Sequence, residues 1–311
     1  MSLNILFAAS AERWADYEAP LRKSLHDAGI TEYTLSTDLP PDQVDYIVYA
    51  PNSDVQDFAP FTRAKAVLNL WAGVEGIVRN DTLTQPLTRM VDDGLERGMV
   101  EWVTGHTLRH HLGTDTHVLG QDGTWRHDVP PLAKDRPVTI LGLGALGQAC
   151  AEALVHLGFP VTGWSRSQKS IDGITCLYGN DGLAQALSTA QIVVLLLPDT
   201  PQTENVIDAG TLAQMPSGAV VINPGRGPLI DDDALLAALD GGHIAHATLD
   251  VFRTEPLPPE HPYWAHPKVT VTPHIASETR PDTAAQVIVE NIRRGEAGEP
   301  LLHLVDRDLG Y

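Results

Sequence analysis

The stretch Ile140-Leu141-Gly142-Leu143-Gly144-Ala145-Leu146-Gly147 restricts this chain to a small set of folds. An apolar, β-branched run at 138–141 precedes it. Apolar residues at helical spacing follow at Leu146, Ala149, Cys150, Ala153, Leu154 and Leu157, and Gly158 ends them. A G-x-G-x-x-G turn between a strand and a helix is the pattern of a dinucleotide-binding site. Gly142 permits the tight turn, Gly144 lets the backbone approach a pyrophosphate, and Gly147 lets helix and strand pack closely. The helix start at Ala145 and Leu146 meets the phosphate with unpaired N–H groups and a positive dipole end.

The end of the next strand selects the dinucleotide. A chain that takes NAD should place Asp or Glu there to accept from the ribose hydroxyls. Here the strand 161–164 ends in Ser165-Arg166-Ser167, with Lys169 just beyond and no carboxylate. A planar guanidinium, two hydroxyls and an ammonium suit a 2′-phosphate. NADPH is therefore the preferred cofactor, with NAD possible.

Around this turn, short strand-like runs alternate with helical patterns, which means parallel strands joined by crossover helices. Runs at 138–141, 161–164, 192–197, 219–223, 245–250 and 269–272 predict one doubly wound sheet. Earlier runs at 4–8, 44–49 and 66–70 predict a second sheet. A turn at 91–94 separates these from a helix over Arg97 to about Leu112. The helical tail from Pro281 to Ile292 ends near Arg293-Arg294-Gly295 and has no sheet of its own, so it must pack on something earlier. The expected fold is α/β, with two doubly wound parallel-sheet domains. A Rossmann-type cofactor domain, 97–276, is inserted into a flavodoxin-like substrate domain, 1–96 with 277–311. A length of 311 residues is enough for two such cores.

Composition narrows the partners. With 21 Lys+Arg against 40 Asp+Glu the formal charge is −19, which argues against nucleic acid or an anionic membrane surface as a partner. No apolar run is long enough to span a bilayer. The N-terminal run, followed at once by Glu12 and Arg13, reads as a first strand and not as a signal peptide. Two cysteines, Cys150 and Cys176, are too few for a disulfide scaffold and suit a reducing cytoplasm. His106, His110 and His111 have helical spacing, but nothing nearby completes a ligand set, so no metal is expected.

Three residues stand at or just after predicted strand ends, where open α/β sheets bind ligands. They are Arg226 in Asn223-Pro224-Gly225-Arg226-Gly227, Glu255 in Asp250-Val251-Phe252-Arg253-Thr254-Glu255-Pro256, and His274 in Thr272-Pro273-His274-Ile275. A carbonyl that receives hydride needs a proton donor, and His suits that role near neutral pH. A carboxylate beside it favours the imidazolium and orients the ring. An Arg can hold a substrate carboxylate and polarise the adjacent carbonyl. Taken singly, each residue also reads as an ordinary surface charge.

In this order after the glycine turn, these segments resemble the D-isomer-specific 2-hydroxyacid dehydrogenase family over nearly the whole chain. A narrower likeness is to its glyoxylate- and hydroxypyruvate-reducing type. It is carried by Trp71-Ala72-Gly73-Val74-Glu75, Trp164-Ser165-Arg166-Ser167-Gln168-Lys169, Glu255-Pro256-Leu257-Pro258-Pro259 and the ending Val305-Asp306-Arg307 with Gly310-Tyr311. The resemblance implies reduction of small 2-oxo acids to D-2-hydroxy acids, with His274 as acid/base, Glu255 as its partner and Arg226 on the substrate. It also implies that backbone N–H groups of Ala72, Gly73 and Val74 hold the substrate carboxylate, and that the protein is a homodimer. Met99, Leu197, Pro198, Thr203, Pro224, Gly225 and Asp250 are expected at the cofactor, Asp250 facing the nicotinamide carboxamide.

The chain departs from the pattern in three places. Pro224-Gly225 stands where Ala is common before the arginine. Tyr49, near the expected substrate position, replaces a frequent Trp, and bulky Trp71 precedes the carboxylate loop. Two rival readings share the residues: a dehydrogenase of a larger 2-hydroxy acid, and a non-catalytic NAD(P)-sensing protein.

Overall fold

The computed structural model describes residues 2–310. The chain divides into two compact units, Met1–Leu95 with Glu278–Tyr311, and Glu96–Ser277. Each is an α/β unit built on a parallel sheet.

The first unit contains β1 (Leu3–Ala8), α1 (Ala11–Asp27), β2 (Tyr33–Ser36), β3 (Tyr46–Tyr49), β4 (Ala66–Asn69) and β5 (Leu87–Thr88). Strand order is β2-β1-β3-β4-β5, all pairs parallel, which is the flavodoxin-like arrangement. The Ser10 hydroxyl caps α1 by accepting from the Arg13 amide, and Tyr17, Leu21 and Leu25, four residues apart, form its buried stripe. That stripe shares a core with Ala284, Ala285, Ile288 and Ile292 of the C-terminal helix, so the tail packs on the first sheet's unit. The tail helix runs Pro281–Ala297, past the predicted end at Ile292. Gly295 lies within the helix, and the Tyr46 hydroxyl occupies the space a side chain there would need. Termination comes instead at Gly298, in the left-handed region at φ 67°.

In chain order α2 is Asp93–Leu112 and α3 is Thr114–Leu119. α2 starts earlier than expected because the Asp92 carboxylate accepts from the amides of Gly94 and Leu95, capping a turn that the sequence marked as a break. The second unit continues with β6 (Val138–Leu141), α4 (Ala145–His156), β7 (Val161–Ser165), β8 (Ile174–Tyr178), α5 (Gly179–Ser188) and β9 (Ile192–Leu195). After these come α6 (Ala209–Gln214), β10 (Ala219–Asn223), α7 (Asp232–Asp240), β11 (Ile244–Leu249) and β12 (Val269–Val271); the tail helix is α8. The order β12-β11-β10-β9-β6-β7-β8 is the Rossmann order, extended by one strand beyond β11. The central strands β6, β9 and β10 are buried on both faces, hence their continuous Val/Ile/Leu runs. Strands β2, β5 and β8, which the apolar pattern did not reveal, all lie at sheet edges.

Candidate active site

The Gly-rich turn joins β6 to α4. Gly142 has φ 107°, and a side chain on it would collide with the Leu196 carbonyl; one on Gly147 would overlap the Gly142 carbonyl. Gly144 differs, because a Cβ there would stand in open space. It is also the N-cap of α4 and supplies no side-chain cap to the amides of the first turn, which begins at Ala145 and Leu146. An uncapped helix start facing open space fits a pyrophosphate.

At the end of β7, Arg166, Ser167 and Lys169 are exposed. Ser165 is buried, and its hydroxyl donates to the Ser167 carbonyl at 2.8 Å, so it shapes the loop and does not reach outward as expected. The Lys169 ammonium donates to the Leu143 carbonyl inside the glycine turn. Thus the expected phosphate-binding loop is tied directly to the expected pyrophosphate-binding turn.

After β9, Leu197 is buried and Thr203 is turned inward. The Thr203 hydroxyl donates to the Pro198 carbonyl at 2.6 Å and accepts from the Thr200 amide at 3.0 Å, closing the turn over residues 198–203. Met99 is buried beside Val103 and Leu143 in the core under the glycine turn. Pro224 and Gly225 are also buried; a side chain on Gly225 would press on the Leu195 carbonyl.

The carboxyl ends of β10, β11 and β12, which are successive neighbours, carry Arg226, Glu255 and His274 respectively. His274 Nδ1 lies 2.7 Å from Glu255 Oε2, and Glu255 Oε1 accepts from the Phe252 amide at 2.9 Å. The carboxylate is therefore held on one side by backbone and on the other holds the imidazole. The His274 side chain is 50% exposed, and with Nδ1 engaged it is Nε2 that can exchange a proton with a bound molecule. Arg226 leaves β10 on a turn closed by Asn223, whose amide donates to the Arg226 carbonyl at 2.8 Å and accepts from the Gly225 amide at 3.1 Å. The next residue, Gly227, packs so tightly on the Phe252–Arg253 peptide that no side chain fits. The three charged residues thus stand on segments braced against one another.

Asp250, expected at the nicotinamide, is fully buried. Its Oδ1 accepts from the Thr272 hydroxyl at 2.6 Å and the Ile275 amide at 2.9 Å, and its Oδ2 from the Ala276 amide at 2.8 Å. In this structure its carboxylate holds the loop that carries His274.

In the first unit, Tyr49 is in the core, edge-on to Phe58 with ring centroids 5.3 Å apart, and does not present a surface to a ligand as the sequence reading expected. Trp71 is 41% exposed, Ala72 and Gly73 are half-buried, and Val74 is in the core. Asn69, not singled out from sequence, donates from Nδ2 to the carbonyls of Trp71 at 2.9 Å and Gly73 at 3.0 Å and so shapes this loop. A lone amide closing the apolar strand β4 was the available signal. Asn223 and Thr272 were missed in the same way, as polar residues quoted only for their neighbours.

The helical histidines are structural. His110 stacks on His246 of β11 at 4.9 Å and hydrogen-bonds Thr248 Oγ1 at 2.8 Å. His111 lies edge-on to Phe159, and His106 lies against Trp102. Cys150 is a free core thiol that burial pushes up to about 12.

Comparison with known proteins places this geometry among relatives. The family model for "D-isomer specific 2-hydroxyacid dehydrogenase, NAD binding domain" matches residues 104–276. Glyoxylate/hydroxypyruvate reductase A of Serratia proteamaculans is 38% identical, covering 99% of this chain and 100% of the relative. A D-isomer specific 2-hydroxyacid dehydrogenase from Xanthobacter autotrophicus Py2, solved with NADPH and MES, superposes with a TM-score of 0.93 at 40% identity, covering all of both chains. The NADPH-dependent glyoxylate/hydroxypyruvate reductase of Sinorhizobium meliloti, solved with NADP and sulfate, gives 0.85 at 34% identity, again over all of both chains.

Proposed function

The chain belongs to the D-isomer specific 2-hydroxyacid dehydrogenases, and we propose that it reduces small 2-oxo acids, glyoxylate or hydroxypyruvate, to D-2-hydroxy acids with NADPH. The observation that carries the reading is the 2.7 Å contact of His274 with a Glu255 that the backbone already holds.

The second unit is the cofactor domain and the first the substrate domain. Gly144 and the uncapped start of α4 would hold the pyrophosphate, and Arg166, with Ser167 and Lys169 beside it, the 2′-phosphate. NADPH, when bound, supplies the hydride that reaches the carbonyl carbon. His274 donates a proton to the carbonyl oxygen as negative charge develops there. Glu255 keeps the ring oriented through Nδ1. Arg226 holds the substrate carboxylate and draws charge toward the carbonyl oxygen.

The working form is a cytoplasmic homodimer. In support, Leu119, Trp125, Val129 and Leu132 are 84, 91, 74 and 66% exposed along one connecting stretch, apolar side chains that a second copy would cover. No helix among the described residues is long and apolar enough to cross a membrane.

The test is initial rates with NADPH and NADH, each with glyoxylate, hydroxypyruvate and a bulkier 2-oxo acid, for the wild type and His274→Ala. NADPH oxidation with the small acids, lost in the variant, is the expected result. Binding of NADPH without turnover of any 2-oxo acid would sink the reductase reading and favour a sensor. Sedimentation of wild type and Trp125→Glu checks the dimer; a monomeric wild type would remove it.

A further inference from the structure

We propose that Arg253 is a positioning residue that locks the Glu255–His274 pair to the Arg226 loop and to the turn expected over the cofactor; this rests on the reductase reading above. Arg253 lies between Asp250 and Glu255 in the chain. From Nη2 it donates to the Ile230 carbonyl at 2.6 Å, to the Pro228 carbonyl at 3.3 Å, and to Asn205 Oδ1. Glu204 stands 3.6 Å from Nη1 and Asp232 3.9 Å from Nε. One side chain therefore engages the loop that begins at Arg226, the end of the turn that begins at Pro198, and the first turn of α7.

The backbone of the same residue closes the connection to the catalytic pair. Gly227 packs directly on the Phe252–Arg253 peptide, and the amide of Phe252 holds Glu255, which holds His274. Asn205 sits in the left-handed region at φ 52°, with its own amide donating to the Pro228 carbonyl at 2.9 Å. Asn adopts that region more readily than other residues with a side chain, and a contact to its side-chain oxygen helps to fix it there. Arg253 supplies that contact.

Only an arginine fits the role. Its acceptors are two carbonyls, an amide oxygen and two carboxylates, spread around a plane that five fixed N–H groups can cover. A lysine brings the charge without the reach. Backbone contacts join the same segments: the Ile207 amide meets the Leu229 carbonyl at 3.0 Å, and the Asp231 amide the Ile207 carbonyl at 2.9 Å. Arg253 adds the one side chain that ties both segments to the peptide beside Glu255.

The experiment compares wild type with Arg253→Met, Arg253→Lys and Asn205→Ala. It reads kcat and KM for glyoxylate with NADPH and, in the cofactor-free protein, hydrogen exchange at the Phe252 amide, which holds Glu255. The expected result for both Arg253 variants is a fall in kcat of about tenfold with KM for glyoxylate nearly unchanged. Exchange at the Phe252 amide should quicken, because the peptide it adjoins is loosened. Asn205→Ala should shift both in the same direction by less. Folded Arg253 variants with wild-type kcat and exchange, or full rescue by lysine, would overturn the proposal. If the Arg253 variants do not fold, unchanged exchange in Asn205→Ala overturns it, and faster exchange supports it. A wild type that turns over no 2-oxo acid defeats the reductase reading, while exchange at Phe252 still decides the role of Arg253.

Discussion

The amide of His274 donates to the carbonyl of Asp250 at 2.8 Å, and the Asp250 carboxylate takes the next two amides of the same loop, those of Ile275 and Ala276. His274 has φ 53°, a conformation that costs free energy for a residue with a side chain. Asp250 is what makes that conformation stable. The imidazole is thereby aimed by its backbone as well as by Glu255.

Replacing Asp250 with Asn keeps the volume but turns one acceptor into a donor that faces donors. With one amide contact to a buried carboxylate lost and the charge removed from the rest, stability should fall by about 3 kcal/mol. Turnover should fall at least a hundredfold as the ring loses its aim. Urea unfolding and kcat/KM measured together check this; a stable variant with near-normal turnover would show that the loop holds itself.

Arg166 and Lys169 should separate by cofactor. Arg166→Gln removes the guanidinium expected on the 2′-phosphate, so KM for NADPH should rise more than tenfold with KM for NADH little changed. Lys169→Met also frees the Leu143 carbonyl inside the glycine turn, and should weaken both dinucleotides. Fluorescence titration with each cofactor distinguishes the two, and identical profiles for the variants would refute the division.

Gly147→Ala should abolish dinucleotide binding. Its Cβ would overlap the Gly142 carbonyl, so β6 and α4 must separate at the turn itself. Gly144→Ala meets no protein atom and should fold normally while losing affinity. Melting temperature and cofactor titration on both variants check the contrast; equal effects on folding would count against it.

Acid should destabilise the protein through two histidines outside the site. Burial first, then His246 and Arg109, hold His110 down to about 3; burial and then Arg109 hold His246 down to about 4. Asp115 opposes both shifts, His106 adds to both, and His266 adds to that of His246. In the unfolded chain both return to about 6.5. Below that pH the unfolded state binds protons that the folded state refuses, so stability is full above about pH 6.5 and is lost as pH falls toward 4 and 3. Between pH 7.5 and pH 5 the pair should cost about 2 kcal/mol, allowing for the partial exposure of both rings. Urea unfolding at the two pH values measures it, and His246→Leu should reduce the loss. Equal stability at both would show that these rings are charged in the folded state.

The periodicity of the chain was enough to determine that it builds two parallel sheets and that a dinucleotide turn joins β6 to α4. Buried central strands must be continuously apolar, and the glycines at 142 and 147 have no tolerated substitutes, so both leave a local trace. The order of Arg226, Glu255 and His274 after that turn was equally legible, because each stands just past its own strand. Edge strands β2, β5 and β8 were not, since a half-exposed strand need not be apolar throughout. Tertiary structure alone decided which polar groups face one another. Ser165 and Thr203 look like ligand donors in sequence and close their own loops in space. Tyr49 looks like a pocket residue and is core. Asp250 looks like a cofactor contact, and its carboxylate holds the His274 loop. A hydrogen bond is a matter of a few tenths of an ångström between groups far apart in the chain, and spacing along a sequence carries no record of it.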